Sequence, residues 1–289
     1  MPPATPVVSN NFVFELDGVT CGLLRSYTGG GISATVAEVP LDYYSKKHIA
    51  ALSFEPCVMQ VGFSLAAEFY EWIAVSWTGN ATRRDGSITV TDHQFQARSA
   101  RDFLGALITE TTIPAMDASS RDAGFLTVKI NPEYIRFKSA SGQISLSPSA
   151  AKQWIVSNFK LEITDVDCKK VSKVSPIAVT QKTIEAEVGS FRDATVATRR
   201  VEFSNLRFTI PATSAKSWQD WFEDFVIKGN NGDDREKKGK LTLLAANLRD
   251  ELAHIDFFNL GIFSLGPESG ATGNLIAEVY CERMEFHVP

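Results

Sequence analysis

Cysteine and histidine are scarce in this chain of 289 residues, which has four of each. Cys21, Cys57, Cys168 and Cys281 lie far apart and form no C-x-x-C pair, which removes zinc-ribbon and thioredoxin-type motifs. They are expected as free, mostly buried thiols in a reducing compartment, because free cysteine packs as a small hydrophobe. His48, His93, His254 and His287 are separated from one another and from the cysteines. No local metal-ligand spacing exists, and only a site assembled from distant segments stays open. No apolar run reaches the roughly 18 residues that cross a bilayer. The start, Met-Pro-Pro-Ala-Thr-Pro, has neither a basic n-region nor an apolar h-region, so neither a secretory leader nor membrane anchoring is expected. Positive charge is not in excess either: 29 Lys and Arg against 34 Asp and Glu give a net charge of −5. That balance argues against general affinity for nucleic acid backbones.

Signatures of catalysis are also missing. There is no G-x-S-x-G elbow, no H-E-x-x-H, no phosphate-binding G-x-x-x-x-G-K-[ST] and no G-x-G-x-x-G. Gly29 to Gly31 read as a flexible turn, since no convincing helix follows whose N-terminus could hold an anion. The carboxylate groups Asp165-Val-Asp167 and Asp233-Asp234 lack metal-loop or glycosidase spacing and read as solvated turns. The basic run from Arg235 to Lys240 follows two aspartates and contains Glu236, so a solvated loop is the reading there too. No enzyme, cofactor or metal is expected.

What is present is a foldable composition, 44% hydrophobic and 22% charged, with a length that suits two domains or one large one. An internal repeat decides between them. NFVFELDGVTC (Asn11 to Cys21) aligns without gaps on NFKLEITDVDC (Asn158 to Cys168), both with the period-two alternation of a half-buried strand. Ala51 to Val61 then matches Arg200 to Ile210. Next comes an apolar stripe at helical spacing in each copy. Leu65, Phe69, Trp72, Ile73 and Trp77 form the first, and Trp218, Trp221, Phe222, Phe225 and Val226 the second. Phe69, Trp72, Ile73, Trp218, Trp221 and Phe222 are therefore expected as helix core rather than as a ligand box. Ser64 and Ser214 are expected N-caps, and Gly79-Asn80 and Gly229-Asn230 the left-handed ends. Beyond the helices, Ser87 to Thr91 matches Lys240 to Leu244, and Asp102-Phe103 matches Asp256-Phe257. Gly124, Leu126, Glu133 and Phe137 match Gly273, Leu275, Glu282 and Phe286. The predicted organisation is a first domain over 1–138, a Ser- and Gly-rich linker over 139–150 and a second domain over 151–289, each mainly β with one helix.

Each copy is interrupted at the same point by a long connection, Thr28 to Lys47 and Val174 to Thr198. Such segments inside small domains are usually functional or disordered, and recurrence favours function. Candidate functional residues are Gly29, Gly30, Gly31, Ile32, Val36, Tyr43 and Tyr44 in the first, and Ile177, Val179, Ile184 and Phe191 in the second. The alternation of Ile177, Val179 and Ile184 suits a β-arm reaching a neighbour by strand pairing.

The order of elements, with Phe69-Tyr-Glu-Trp-Ile73, Arg83-Arg-Asp-Gly-Ser-Ile88 and Pro114-Ala-Met-Asp-Ala-Ser119, resembles the tail tube proteins of contractile phages and related injection systems. The resemblance is clearest over residues 11–137. The second copy has Leu265-Gly-Pro-Glu-Ser269 where the first has Pro-Ala-Met-Asp-Ala. The resemblance implies two tandem β-sandwich or barrel domains, each flanked by a helix, with three chains closing a pseudo-hexameric ring that stacks around a channel. It implies that the candidate residues of the two long connections touch adjacent subunits or rings. It further implies sheath, baseplate and tape-measure proteins as partners and passage of DNA or a protein effector. The expected place is a virion tail or injection particle, after synthesis in the bacterial cytoplasm. A baseplate hub or adaptor joining a three-fold tip to a six-fold tube is the alternative within this class. A tandem β-barrel holding a small apolar ligand is the alternative outside it, and it requires a pocket within each barrel.

Overall fold

Alternating apolar residues lead into a left-handed turn in the first described segment: Phe14 and Leu16 are buried, and Asp17 and Gly18 (φ 48° and 80°) reverse the chain into an antiparallel partner. The computed structural model describes residues 11–80, 82–146, 153–187, 194–270 and 273–289, with backbone alone over 183–187 and 194–199. The first half contributes β1 (Asn11–Leu16), β2 (Val19–Leu24), β3 (Ser26–Gly29), β4 (Ile32–Leu41), β5 (Tyr44–Phe54), β6 (Cys57–Val61), helix α1 (Ala67–Trp77), β7 (Arg84–Thr91), β8 (Ala97–Ile113), β9 (Met116–Asp117), β10 (Leu126–Asn131) and β11 (Tyr134–Ser139). The second contributes β12 (Trp154–Ile163), β13 (Lys173–Val174), β14 (Ile177–Glu187), β15 (Ala194–Phe203), β16 (Leu206–Pro211), helix α2 (Lys216–Phe222), β17 (Lys237–Ala245), β18 (Glu251–Pro267) and β19 (Asn274–His287).

The fold is mainly β, with barrel-like curled sheets. One sheet runs β2-β1-β7-β8-β10-β6-β3, with β11 and β14 also joined to β8 and β15 joined to β14. The other runs β12-β17-β18-β19-β16-β13-β9. Both 17-residue strands turn a corner. In β8 the left-handed residue is Gly105 (φ 59°), and in β18 it is Asn259 (φ 58°). A bulge of this kind bends a strand, so that its two ends serve different faces of the curl. Before the corner β8 pairs with β7 and β11, and after it with β10 and β14.

Residues matched between the halves in sequence occupy matching register positions. Phe14 lies opposite Ile88 and Leu161 opposite Leu241; Ser87 opposes Asp102 and Lys240 opposes Asp256; Val61 opposes Leu126 and Ile210 opposes Leu275. Even the ladder irregularity recurs, between Lys129 and Ile130 against β8 and between Ile262 and Ser264 against β19.

Several expectations need correction. The two long connections are not irregular loops: β4–β5 and β14–β15 are antiparallel hairpins. Ser64 and Ser214 do not cap the helices. Ala66 and Ala215 stand at the N-cap positions without a side-chain cap. Before α1, the Tyr70 hydroxyl accepts from Leu65 N (3.1 Å) and donates to Gly62 O (2.7 Å), and before α2 a 3-10 turn (Ala212–Ser214) leads the backbone in. The left-handed ends are found at Gly79 and Gly229 (φ 81° and 73°). Phe69, Trp72, Ile73, Trp77, Trp218, Trp221 and Phe225 are buried and Phe222 is half-buried, but Val226 is exposed. The helix passes there into a π turn (Glu223–Ile227), closed by Lys228 N on Glu223 O at 2.9 Å. One extra residue per turn rotates the end of the predicted stripe out of the core.

The halves share one hydrophobic core. Of the predicted linker, Gly142 O accepts from Ala97 N (2.8 Å) and Ile144 N donates to Phe95 O (2.9 Å), so its start stays on the first half; residues 147–150 lie outside the described ones. Strand pairs cross between the halves: Ile177 to Thr180 lie against Ile113 to Glu110, and Lys173-Val174 against Asp117-Met116. Trp154 adds packing, its ring 6.0 Å from that of Phe63, with its O accepting from Gly124 N at 2.9 Å. Truncating this fully buried indole is expected to remove about 3–5 kcal/mol of stability. Urea denaturation of Trp154→Ala checks this, and a change below about 1 kcal/mol would show that the indole does not couple the halves.

Candidate assembly surface

The first arm, β4–β5, rises from a glycine root. Gly29 and Gly30 have φ of 85° and 70°, and a Cβ on them would stand 2.1 Å from Pro56 O and 2.2 Å from Tyr27 Oη. Only glycine fits both the conformation and the space, so these residues fix where the arm leaves the barrel. Gly31 then exchanges hydrogen bonds with Glu55, its N donating to the carboxylate (3.1 Å) and its O accepting from Glu55 N (2.9 Å). Beyond the root, among the described residues, β4 and β5 pair with each other and with no other strand. Ile32 and Phe54, Ala34 and Leu52, and Val36 and Ile49 oppose one another along one face. Ile32, Val36, Ile49 and Leu52 are exposed, as are Leu41, Tyr44 and, at the tip, Tyr43 (92%). A two-stranded hairpin is marginal alone in water, and a ladder of exposed aliphatic and tyrosine side chains is what interaction surfaces present.

The second arm is placed differently. Ile177 and Val179, expected to reach a neighbouring subunit, are buried against β8 of the same chain, and Gln181 Nε2 donates to Ser76 O of α1 at 2.5 Å. Ile184 lies in β14 with its side chain outside the described residues, and Phe191 lies outside them altogether.

This junction within the chain has three parts, and the matched position of each is uncovered. At the strand root, Val179 opposes Phe203 as Ile32 opposes Phe54. Val179 is 2% exposed and Ile32 39%. On the last strand, Phe286 is 2% exposed beneath Trp77, ring centroids 5.4 Å apart, whereas its match Phe137 is 57% exposed. On the helix, counted back from the terminal glycines, Trp77 (3%) matches Ile227 (69%). The receiving edge has a counterpart as well. Glu110 to Ile113 of β8 accept β14, while Ser264 to Pro267 of β18 pair with β19 on one side and with no described strand on the other. Ile227 and this β18 edge were not singled out in the sequence, because their exposure follows from which half covers which.

Burial pushes the thiols of Cys21 up to about 11 and of Cys168 and Cys281 up to about 12, so neutral thiols predominate at physiological pH. Both interiors are filled by aromatic rings such as Phe14, Phe69 and Phe103 in the first half and Phe208, Trp218 and Phe257 in the second. A surface hollow of 610 Å³ is lined by charged and aromatic side chains together, among them Asp220, Asp224, Glu236, Lys237, Trp221 and Phe225, and another of 790 Å³ by Phe159, Leu161, Ile163, Val166 and Val171 beside Lys160 and Glu162. No described helix is long and apolar enough to cross a membrane. His254, Asp256 and His287 form a group with metal-ligand chemistry, although the sequence predicted none.

No family model matches the chain, and no curated protein matches it. Among solved structures, it is similar to a chain of the PVC sheath–tube complex, an extracellular contractile injection system in its extended state, at 17% identity and a TM-score of 0.41 over 48% of this chain and 95% of that one. A chain of the anti-feeding prophage cap, which terminates that particle's tube, gives 17% identity and a TM-score of 0.40 over 48% and 95%. Hcp1 from Flavobacterium johnsoniae gives 14% identity and a TM-score of 0.27 over 46% and 99%.

Replacing residues 33–53 by a short Gly-Ser linker is expected to leave stability within about 1 kcal/mol, since the arm contributes little to the core, and to reduce self-association. Urea denaturation and sedimentation velocity measure the two effects. A large loss of stability with unchanged association would reassign the arm to the core. Gly30→Ala is expected to cost about 1–2 kcal/mol from the left-handed backbone alone.

Proposed function

We propose that this chain is a structural subunit of a phage tail or contractile-injection tube. Residues 1–138 and 151–289 are two copies of one module joined by 139–150, and three chains close a ring of six modules around a central channel. The observation that carries the reading is the junction between the halves, whose buried partners recur at matched positions as exposed ones. Repeating the same contact once more places β4 of one chain on β18 of the next, and Ile227 of that next chain over Phe137 of the first. This contact joins unlike surfaces, and such contacts generate a ring when the rotation closes. It also covers an edge that would otherwise invite irregular pairing. Of the residues that resemble tail tube proteins, Phe69-Tyr-Glu-Trp-Ile73 lies in α1 and Met116-Asp117 forms β9, two elements that meet the second half within the chain.

Rings then stack through the first arm, whose tip tyrosines Tyr43 and Tyr44 extend the surface offered to a neighbour. Sheath, baseplate and tape-measure proteins are the partners of such a tube, and DNA or a protein effector its cargo. The assembled particle is its place of work, after synthesis in the bacterial cytoplasm, and its role is structural rather than catalytic.

The proposed contact between chains takes its register from the one within the chain. Thr180 opposes Glu110, and their matches are Ser33 and Ser264. Ser33→Cys with Ser264→Cys, oxidised at assembly concentration, is expected to yield covalent oligomers ending at three chains, and neither single variant should do so. The four native cysteines are buried and do not confuse the readout. Negative-stain micrographs should show annular views. Dispersed monomers without cross-linked species would overturn the proposal.

A further inference from the structure

The two long strands of the second half bring together side chains that lie far apart in sequence. In the β18–β19 ladder His254 stands opposite His287 and Asp256 opposite Glu285. Residues two apart share a face, so the four form a square on one side of the sheet, while Ile255 and Phe286 between them are buried on the other. The imidazoles stack at 4.7 Å between centroids. Both Nε2 atoms converge on one carboxylate oxygen: His254 Nε2 and His287 Nε2 each lie 3.6 Å from Asp256 Oδ2. Glu285 Oε2 is 3.7 Å from His287 Nε2, its other oxygen being held by Arg283 at 2.6 Å.

We propose that His254, His287 and Asp256 bind a first-row divalent transition ion such as Zn²⁺, with Glu285 beside His287 at the rim of the site. Metal–ligand bonds of about 2.0–2.2 Å in a tetrahedral site put neighbouring ligand atoms about 3.3–3.6 Å apart. The two nitrogen–oxygen edges fall at that spacing. The ligand atoms of the three residues all lie within 4.8 Å of one another, and the half-exposed His287 ring has room to close the remaining edge. His254 is further prepared by Glu251, which meets its Nδ1 and is itself 3.6 Å from Lys240 Nζ. A carboxylate on Nδ1 fixes the tautomer that leaves the Nε2 lone pair free for a metal, the outer-shell arrangement that tunes histidine ligands. Imidazole with carboxylate suits zinc and its neighbours better than calcium or magnesium.

The first half shows what the position does without this chemistry. Asp256 matches Asp102, and His254 and His287 match Ala100 and Lys138, which oppose each other in the same way. There Lys138 pairs directly with Asp102. A single ammonium answers one carboxylate, whereas in the second half two imidazoles meet two carboxylates and the lysine is gone. An ion at that place would tie the end of β19 to β18.

Zn²⁺ alone, titrated calorimetrically into the full chain purified without a polyhistidine tag, tests this. One ion per chain is expected, with affinity reduced at least tenfold in His254→Ala and in His287→Ala. Asp256→Asn should weaken binding while keeping both imidazoles, and unchanged far-UV circular dichroism would separate ligand loss from misfolding. Co²⁺ should give the visible absorption of a low-coordinate ion in the wild-type chain. No saturable Zn²⁺ binding to the wild-type chain, or undiminished affinity in both histidine variants, would overturn the proposal. Ring formation is a separate readout, so failure here leaves the assembly reading standing.

Discussion

An unpaired sheet edge is a row of backbone donors and acceptors seeking partners, and this chain is organised by how its edges are covered. The end of β8 is covered by the root of β14 from the other half, and the short β13 by β9 in return. Neither half completes its sheets alone. The shared core, with Trp154 against Phe63 and Trp77 against Phe286, fills the space that this exchange encloses. The corners at Gly105 and Asn259 make the exchange possible, because an unbent strand of that length could not serve two faces at once.

The two arms show how one local architecture takes two fates. Both are hairpins set into the barrel at the same place, and both follow a strand that pairs with the equivalent of β6. The second arm begins with Ile177 and Val179, which fill a buried site. The first begins with glycines and carries its apolar side chains outward. The halves differ most where one arm is covered within the chain and the other is exposed. The helices follow the same rule: α1 ends in a tryptophan that is covered, and α2 is extended through a π turn to an isoleucine that is not.

Strand positions, helix positions and the correspondence between the halves were legible in the sequence because each rests on local periodicity. Phe14, Trp72 and Trp218 announced buried faces and occupy them. The arms were legible only as long segments. In β4 the alternation of Ile32, Ala34 and Val36 shifts phase to Ala37, Val39 and Leu41, so no single period-two stripe runs through the strand. The helix starts were misplaced because serine propensity was outweighed by a tyrosine hydroxyl in one copy and a 3-10 turn in the other. The convergence of His254 and His287 was invisible, since strand register across a long connection decides it.

Placing one of two similar junctions inside a covalent chain also changes the kinetics of building anything from it. The β8–β14 contact forms as part of folding, at an effective concentration set by the linker and independent of how much protein is present. The β4–β18 contact of the proposed ring is bimolecular and rises with concentration. In the proposed ring, half of the joints would be closed before any encounter between chains, and the nucleation order would drop from six bodies to three.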